Sequence, residues 1–214
     1  MLHLEILNLD RQKFIEELKF TRKHKLYLAG GTALALQLGH RTSADFDFYT
    51  PRHFSKSILA IDFKKNLPNW QMKIIRDVDD TFEAVFKPNI NISCFYYPYK
   101  LLKPLVRIKE VNIASIEDIA AMKIVAVSQR GKRRDFIDVF FLIKKFGLKK
   151  ILKFTEKKFP QFDIYNGLRG LLYFDDADID KDIRRFEIFE RNISWLKIKE
   201  FIKEEVFNFQ KNQK

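Results

Sequence analysis

The stretch Leu26-Tyr-Leu-Ala-Gly-Gly-Thr-Ala-Leu-Ala-Leu-Gln-Leu-Gly39, continued by His40-Arg-Thr-Ser-Ala-Asp45-Phe-Asp47-Phe-Tyr-Thr50, decides the fold. Leu26–Ala29 is a short apolar run that stops at Gly30-Gly31, the punctuation expected where a buried strand ends in a tight turn. Thr32 is a good N-cap, and Ala33–Leu38 has helix-forming composition up to a C-terminal Gly39. Glycines at a strand-to-helix junction let an anion approach the backbone, and a helix start offers unpaired N–H groups. Phosphate fits such a corner. In Asp45-Phe-Asp47-Phe48 the side chains alternate across a strand, so both carboxylates share one face and both phenylalanines the other. Two strand rises put the acids about 7 Å apart, within reach of a shared cation. Hard oxygen ligands suit Mg²⁺ or Mn²⁺, and Mg²⁺ commonly completes its shell with substrate phosphates. The bland alternative is the polar face of an edge strand.

At these residues the chain resembles the nucleotidyltransferase superfamily, and more closely its AbiEii/AbiGii toxin-type branch. Gly30-Gly31-Thr32 and Arg41-x-Ser43-x-Asp45-x-Asp47 carry the likeness, which continues at Lys123 and at Arg130-Gly-Lys132-Arg133-Arg134-Asp135-x-x-Asp138. The resemblance implies transfer of a nucleoside monophosphate from a nucleoside triphosphate (NTP) to a hydroxyl of RNA, such as the tRNA 3′ end, or of a protein. It also implies growth-inhibiting toxicity countered by a separately encoded antitoxin. Gly30, Gly31 and Thr32 would cradle phosphates, with Arg41 and Ser43 supporting the loop or touching phosphate. Asp45 and Asp47 would hold the metal. Many members place a third carboxylate on a later strand. Here that strand is Asn91-Ile-Ser93-Cys-Phe, which offers no acid. A non-catalytic nucleotide- or RNA-binding protein on the same fold is therefore the rival expectation.

With 214 residues, of which 46% are apolar and 14% aromatic, the chain can bury a sizeable core. A net charge of +12 and a pI near 9.6 point to an anionic partner, nucleic acid first. The single cysteine, Cys94, excludes an internal disulfide framework and sits in an apolar run where a buried small hydrophobe is expected. No apolar run approaches the length of a membrane span, and no signal peptide opens the chain, so a soluble, cytoplasmic protein is expected.

Phe14, Ile15 and Leu18 mark an amphipathic first helix over Asp10–Lys23, and Phe54–Asn66 is a second, stopped before Pro68. Met72–Val78 and Thr81–Phe86 read as a hairpin turning at Asp79-Asp80, with Asn89–Tyr97 a further strand. Beyond Pro104, apart from Val111–Ile113, the pattern is helical. The expected fold is α+β: a nucleotidyltransferase-like mixed-sheet core over 1–104, then a mainly helical bundle over 105–214 that completes the site. The Lys-rich tail after Glu204 is expected to fray.

Ser115-Ile-Glu-Asp118 opens a helix in which Lys123 is surrounded by Ile119, Ala120, Ala126 and Val127. A lysine on an apolar stripe must snorkel to water or meet an anion. Asp135, at the start of the next helix, is the group best placed to orient it, and the resemblance marks both as site residues. Asp138 is the lesser partner. From Lys123 to Lys158 there are 12 Lys/Arg against 3 Asp/Glu, a +9 segment in which Arg130, Lys132, Arg133 and Arg134 could hold RNA phosphates or form a solvated face. Asp175-Asp176-Ala-Asp178-Ile-Asp180-Lys-Asp182 lacks the glycine and terminal glutamate of a calcium loop and reads as an acidic loop or helix start. Tyr96, Tyr97 and Tyr99 read as core or rim packing rather than a base platform.

Overall fold

The opening amphipathic segment divides in two: helix α1 (Leu9–Glu16), capped by the Asn8 side chain, then a 3-10 turn over Leu18–His24 ending at Lys25 in the left-handed region. The computed structural model describes residues 2–55, 57–180, 186–190 and 193–212. The decisive stretch follows as strand β1 (Tyr27–Ala29), helix α2 (Gly30–Leu38) and strand β2 (Phe46–Thr50). Gly39 closes α2 at φ +63°, as a C-terminal glycine should. The start differs from expectation: Ala29 is the N-cap and Thr32 lies inside the first turn, because Gly30 at φ +69° carries the chain straight from strand into helix.

Helix α3 (Ile58–Asn66) and strands β3 (Met72–Val78), β4 (Thr81–Phe86) and β5 (Ile90–Tyr96) come next. The β3–β4 hairpin turns at Asp80 with φ +65°. Two short strands, β6 (Val106–Ile108) and β7 (Val111–Ile113), complete a seven-stranded mixed sheet of order β3-β4-β5-β2-β1-β7-β6. β2 runs parallel to β5 and β1 parallel to β7; the other neighbours are antiparallel. On β2 the buried residues are Phe46, Phe48 and Thr50, while Asp47 and Tyr49 are half-buried, the alternation the sequence predicts. Phe14, Phe63, Phe82 and Phe86 join Phe46 and Phe48 in a fully buried aromatic core.

The chain divides into compact units at Met1–Ser115 and Ile116–Lys214. The change falls after Ser115 rather than after Pro104 because β6 and β7 belong to the sheet. The second unit is helical: α4 (Ile116–Arg130), α5 (Arg133–Phe146), α6 (Leu148–Lys158), α7 (Ile164–Leu172), short α8 (Asp175–Asp178) and α9 (Trp195–Lys211). α9 does not fray after Glu204. Ser194 caps it, and Ile198, Ile202 and Val206, one turn apart, are buried. The first part of the acidic run, Asp175–Asp178, forms α8, with Asp182 outside the described residues; Asp178 accepts hydrogen bonds from Trp195 and Lys199, and Asp180 from the backbone N–H of Arg133.

Candidate active site

In the sheet unit, Asp45 and Asp47 are both half-buried, Asp45 just before β2 and Asp47 within it. In register with Asp47 stand Ala29 on β1 and Ser93 on β5. The next residue after Ala29 is Gly30, where a Cβ would lie 3.2 Å from Asp47 Oδ2. The glycine thus leaves open the corner between the first turn of α2 and the carboxylate, where a helix start favours an anion.

The loop carrying Asp45 is fixed from three sides. Thr32, buried in α2, bonds Ser43 Oγ at 2.7 Å and donates to the Asp45 carbonyl. Arg11 of α1 donates to the Ala44 carbonyl at 2.9 Å and to the Asn89 carbonyl at 2.6 Å. Asn91 Nδ2 donates to Asp45 Oδ1 at 2.8 Å. Arg41 is buried and donates to the Thr42 carbonyl at 2.9 Å, so it holds its own loop. Thr32 and Ser43 therefore serve the loop that presents Asp45.

Half-buried carboxylates beside a glycine-lined helix start are a donor set suited to Mg²⁺ or Mn²⁺ sharing its shell with phosphate oxygens. Among the described residues no three His, Cys, Asp or Glu side chains group closely enough to hold a metal alone. Cys94, on the opposite face of β5 from Ser93, is fully buried. Burial, with the Asp47 charge adding to it, pushes its thiol well above the usual range, so it is no nucleophile.

The helical unit holds a second constellation. Lys123 Nζ, 5% exposed, lies 2.6 Å from Asp135 Oδ1 and 2.6 Å from Asp138 Oδ2, and both acids are fully buried. Arg130 Nε approaches Asp135 Oδ2 at 3.0 Å. Asp138, expected as the lesser partner, is as close as Asp135. Burial would raise the Asp135 carboxyl, but the charges of Lys123 and Arg130 and the lysine's hydrogen bond outweigh it and hold it below the usual range, against a smaller upward push from Asp138. An ammonium has three donors, and two are engaged here.

The sequence profile of the family described as "Nucleotidyl transferase AbiEii toxin, Type IV TA system" matches residues 14–109 and 97–206. The chain belongs to the AbiEii nucleotidyl transferase toxin family. An uncharacterized protein of Aquifex aeolicus (strain VF5) is 34% identical over 194 residues, covering 87% of this AbiEii chain and 88% of the relative. In fold the chain is similar to JHP933 from Helicobacter pylori, with a TM-score of 0.55, 20% identity and coverage of 100% and 97% of the two chains. It is similar also to MenT4, a nucleotidyltransferase toxin from Mycobacterium tuberculosis H37Rv, with a TM-score of 0.57, 13% identity and coverage of 89% and 79%. The AbiEii fold class, α+β with a nucleotidyltransferase-like mixed sheet, is thereby established.

Within this AbiEii chain the basic cluster is not uniform. Arg133 is bound to its own unit: Nε donates to the Ala177 carbonyl at 3.0 Å, a terminal nitrogen to the Asp178 carbonyl at 3.2 Å, and the guanidinium lies 4.8 Å over the Trp195 ring. Arg130 is exposed, and Lys132 and Arg134 half-buried. The aromatic residues flanking β5 form a rim cluster: Tyr97 contacts Tyr49 and Tyr99, and Tyr96 stacks on His53 at 3.7 Å. Sequence reasoning missed Arg11 and the Asn91–Asp45 bond, and it missed the buried pair of Lys158 with Asp118 at 2.7 Å. Only Asn91 left a trace, as the polar residue on β5 where an acid was sought. Among the described residues no helix is long and apolar enough to cross a membrane.

Proposed function

We propose that this protein transfers a nucleoside monophosphate from an NTP to a hydroxyl of RNA, a tRNA 3′ end being the fitting class, and releases pyrophosphate. The observation that carries the reading is Asp47, two residues after Asp45, facing a glycine without a side chain, with 3.2 Å from its Oδ2 to the position a Cβ would take. The first turn of α2, entered through Gly30 and Gly31, accepts the triphosphate. Asp45 and Asp47 would hold Mg²⁺ or Mn²⁺, which when bound supplies Lewis-acid neutralisation of phosphate charge. Asn91 holds Asp45 in its orientation. The acceptor oxygen forms a bond to the α-phosphorus as the bond to the bridging oxygen of the β-phosphate breaks. The hydroxyl proton passes to Asp47. Lys123, its ammonium fixed by Asp135 and Asp138 in the helical unit, keeps a third donor for a phosphate oxygen. In the cell the activity would arrest growth and be restrained by a separately encoded antitoxin.

Incubation with Mg²⁺ and each α-labelled NTP, with and without total tRNA, tests the reading. Label should appear on tRNA with wild-type protein and fall about a hundredfold or more in Asp47→Asn, with the thermal melt close to wild type. Equal transfer by Asp47→Asn would remove the assignment. Label on the protein fraction alone would make a protein the acceptor. A second reading, a non-catalytic nucleotide binder, is favoured by one observation: Asn91 stands on β5 where a third acid would take the proton. NTP binding without any label transfer would select it.

A further inference from the structure

We propose that the cleft between the end of α4 and α7 is a binding site for a single-stranded RNA segment. This rests on the reading of RNA as acceptor and says where in the helical unit it is gripped. The two helices touch backbone to backbone. A Cβ on Gly170 would lie 2.6 Å from Ser128 Cα, and one on Gly167 would lie 2.7 Å from the Ile124 side chain. Beside this contact the surface opens into a cleft of about 820 Å³, its walls including Ser128, Gln129, Arg130, Asn166, Arg169 and Tyr173.

The lining has the chemistry of a nucleic-acid grip. Arg169 is exposed and makes no ion pair or hydrogen bond with any of the described residues, so nothing among them accounts for its charge. Arg130 meets it from the other wall. Guanidinium groups recognise phosphate through paired donors. Tyr173 is 53% exposed, and an exposed ring is a surface on which a base stacks whatever its identity. Ser128, Gln129 and Asn166 add hydrogen-bonding groups for sugar and base edges. Asp176, an acid on the lining, repels phosphate at its own end and leaves the arginines as the cationic track for phosphates. The cleft is open rather than enclosed and lies toward the upper end of the roughly 300–1,000 Å³ range of small-molecule pockets. It suits a chain passing through more than a nucleotide swallowed whole.

Its position adds an argument. Arg130 lines the cleft while its Nε holds Asp135, which holds Lys123. Phosphate drawn onto Arg130 would thus press on the carboxylate that orients the lysine.

The test is binding of a short, labelled single-stranded RNA to the full chain without NTP or metal, measured against salt. Wild-type affinity should fall steeply with salt, and Arg169→Ala should flatten the log–log slope by about 0.7, one single-strand phosphate contact. Arg169→Lys should retain the slope. Tyr173→Ala should weaken binding about tenfold without changing the slope. Both residues are exposed, so the variants should melt like wild type. Unchanged affinity and slope in Arg169→Ala, or unchanged affinity in Tyr173→Ala, would overturn the site. Binding that depends on Arg169 in a protein that transfers no label would uphold the site and defeat the proposed reaction. Transfer to tRNA whose KM for RNA ignores Arg169→Ala would do the reverse.

Discussion

Replacing Lys123 by methionine keeps the volume of the side chain and deletes its charge, and the surroundings make the consequence calculable. Two carboxylates, both fully buried, lose an ammonium 2.6 Å from each, and Arg130 at 3.0 Å from Asp135 is left beside them. Breaking a buried ion pair from one side costs on the order of 3–5 kcal/mol, a large part of the roughly 5–15 kcal/mol that stabilises a domain. The cost must depend on pH. In the wild type, Asp135 is held below the usual carboxylate range, so it contributes stability that is present above its unfolded value and lost as pH falls through its folded one. In Lys123→Met only Arg130 still opposes burial and the repulsion between the two acids, and the folded value of Asp135 should rise. The variant is then penalised progressively as pH rises. Urea unfolding should show a small gap between the two proteins at about pH 4, near the unfolded carboxylate value, widening to the full 3–5 kcal/mol at neutrality. Neutralising the acids as well, in Lys123→Met with Asp135→Asn and Asp138→Asn, should close the gap without restoring transfer. A variant as stable as wild type at neutral pH, with a gap flat in pH, would refute the reasoning and make Lys123 a lysine that merely reaches water.

Gly30→Ala should destabilise the sheet unit by about 1–2 kcal/mol, the cost of a left-handed backbone for an L-residue. Its Cβ, 3.2 Å from Asp47 Oδ2, should also depress transfer beyond what the loss of folded protein explains; urea unfolding and label transfer per folded molecule separate the two. Lys158→Met should cost about as much stability as Lys123→Met, since Lys158 and Asp118 are both fully buried at 2.7 Å. Transfer per folded molecule should be unchanged, which distinguishes a buried pair that holds α4 to α6 from one that serves chemistry.

What the sequence revealed follows the range of the forces involved. The alternation of Asp45 to Phe48, the closing Gly39 and the hairpin at Asp79-Asp80 are local, and each appears in the structure as expected. The Lys123–Asp135 pair was also legible, because a lysine on an apolar helical face calls for an anion and the next helix starts with one. β6, three residues long, was not, and β7, equally short, showed only as the apolar piece Val111–Ile113 set apart from the helical pattern. Thr32 was misplaced because its residue type favours a cap, whereas the left-handed Gly30 starts the helix three residues earlier. α9 carried its signal in Ile198, Ile202 and Val206, but the lysines around them pointed to a loose tail. Lys158 with Asp118, and Arg11 with Ala44 and Asn89, join positions distant in sequence, which no local pattern announces.

Asn91 bears most directly on the chemistry. A carboxylate on β5 could have accepted a proton; a neutral amide does not, and its Nδ2 donates to Asp45 Oδ1 at 2.8 Å. An amide there, in place of an acid, adds no negative charge beside Asp45 and Asp47. The same bond holds Asp45 in one orientation, the contribution a supporting hydrogen bond would make if Asp45 held the proposed cation. Ser93, in register with Asp47, adds no charge of its own. On the proposed reading Asp45 and Asp47 would hold a single divalent cation, and Asp47 would be the carboxylate that receives the proton of the attacking hydroxyl.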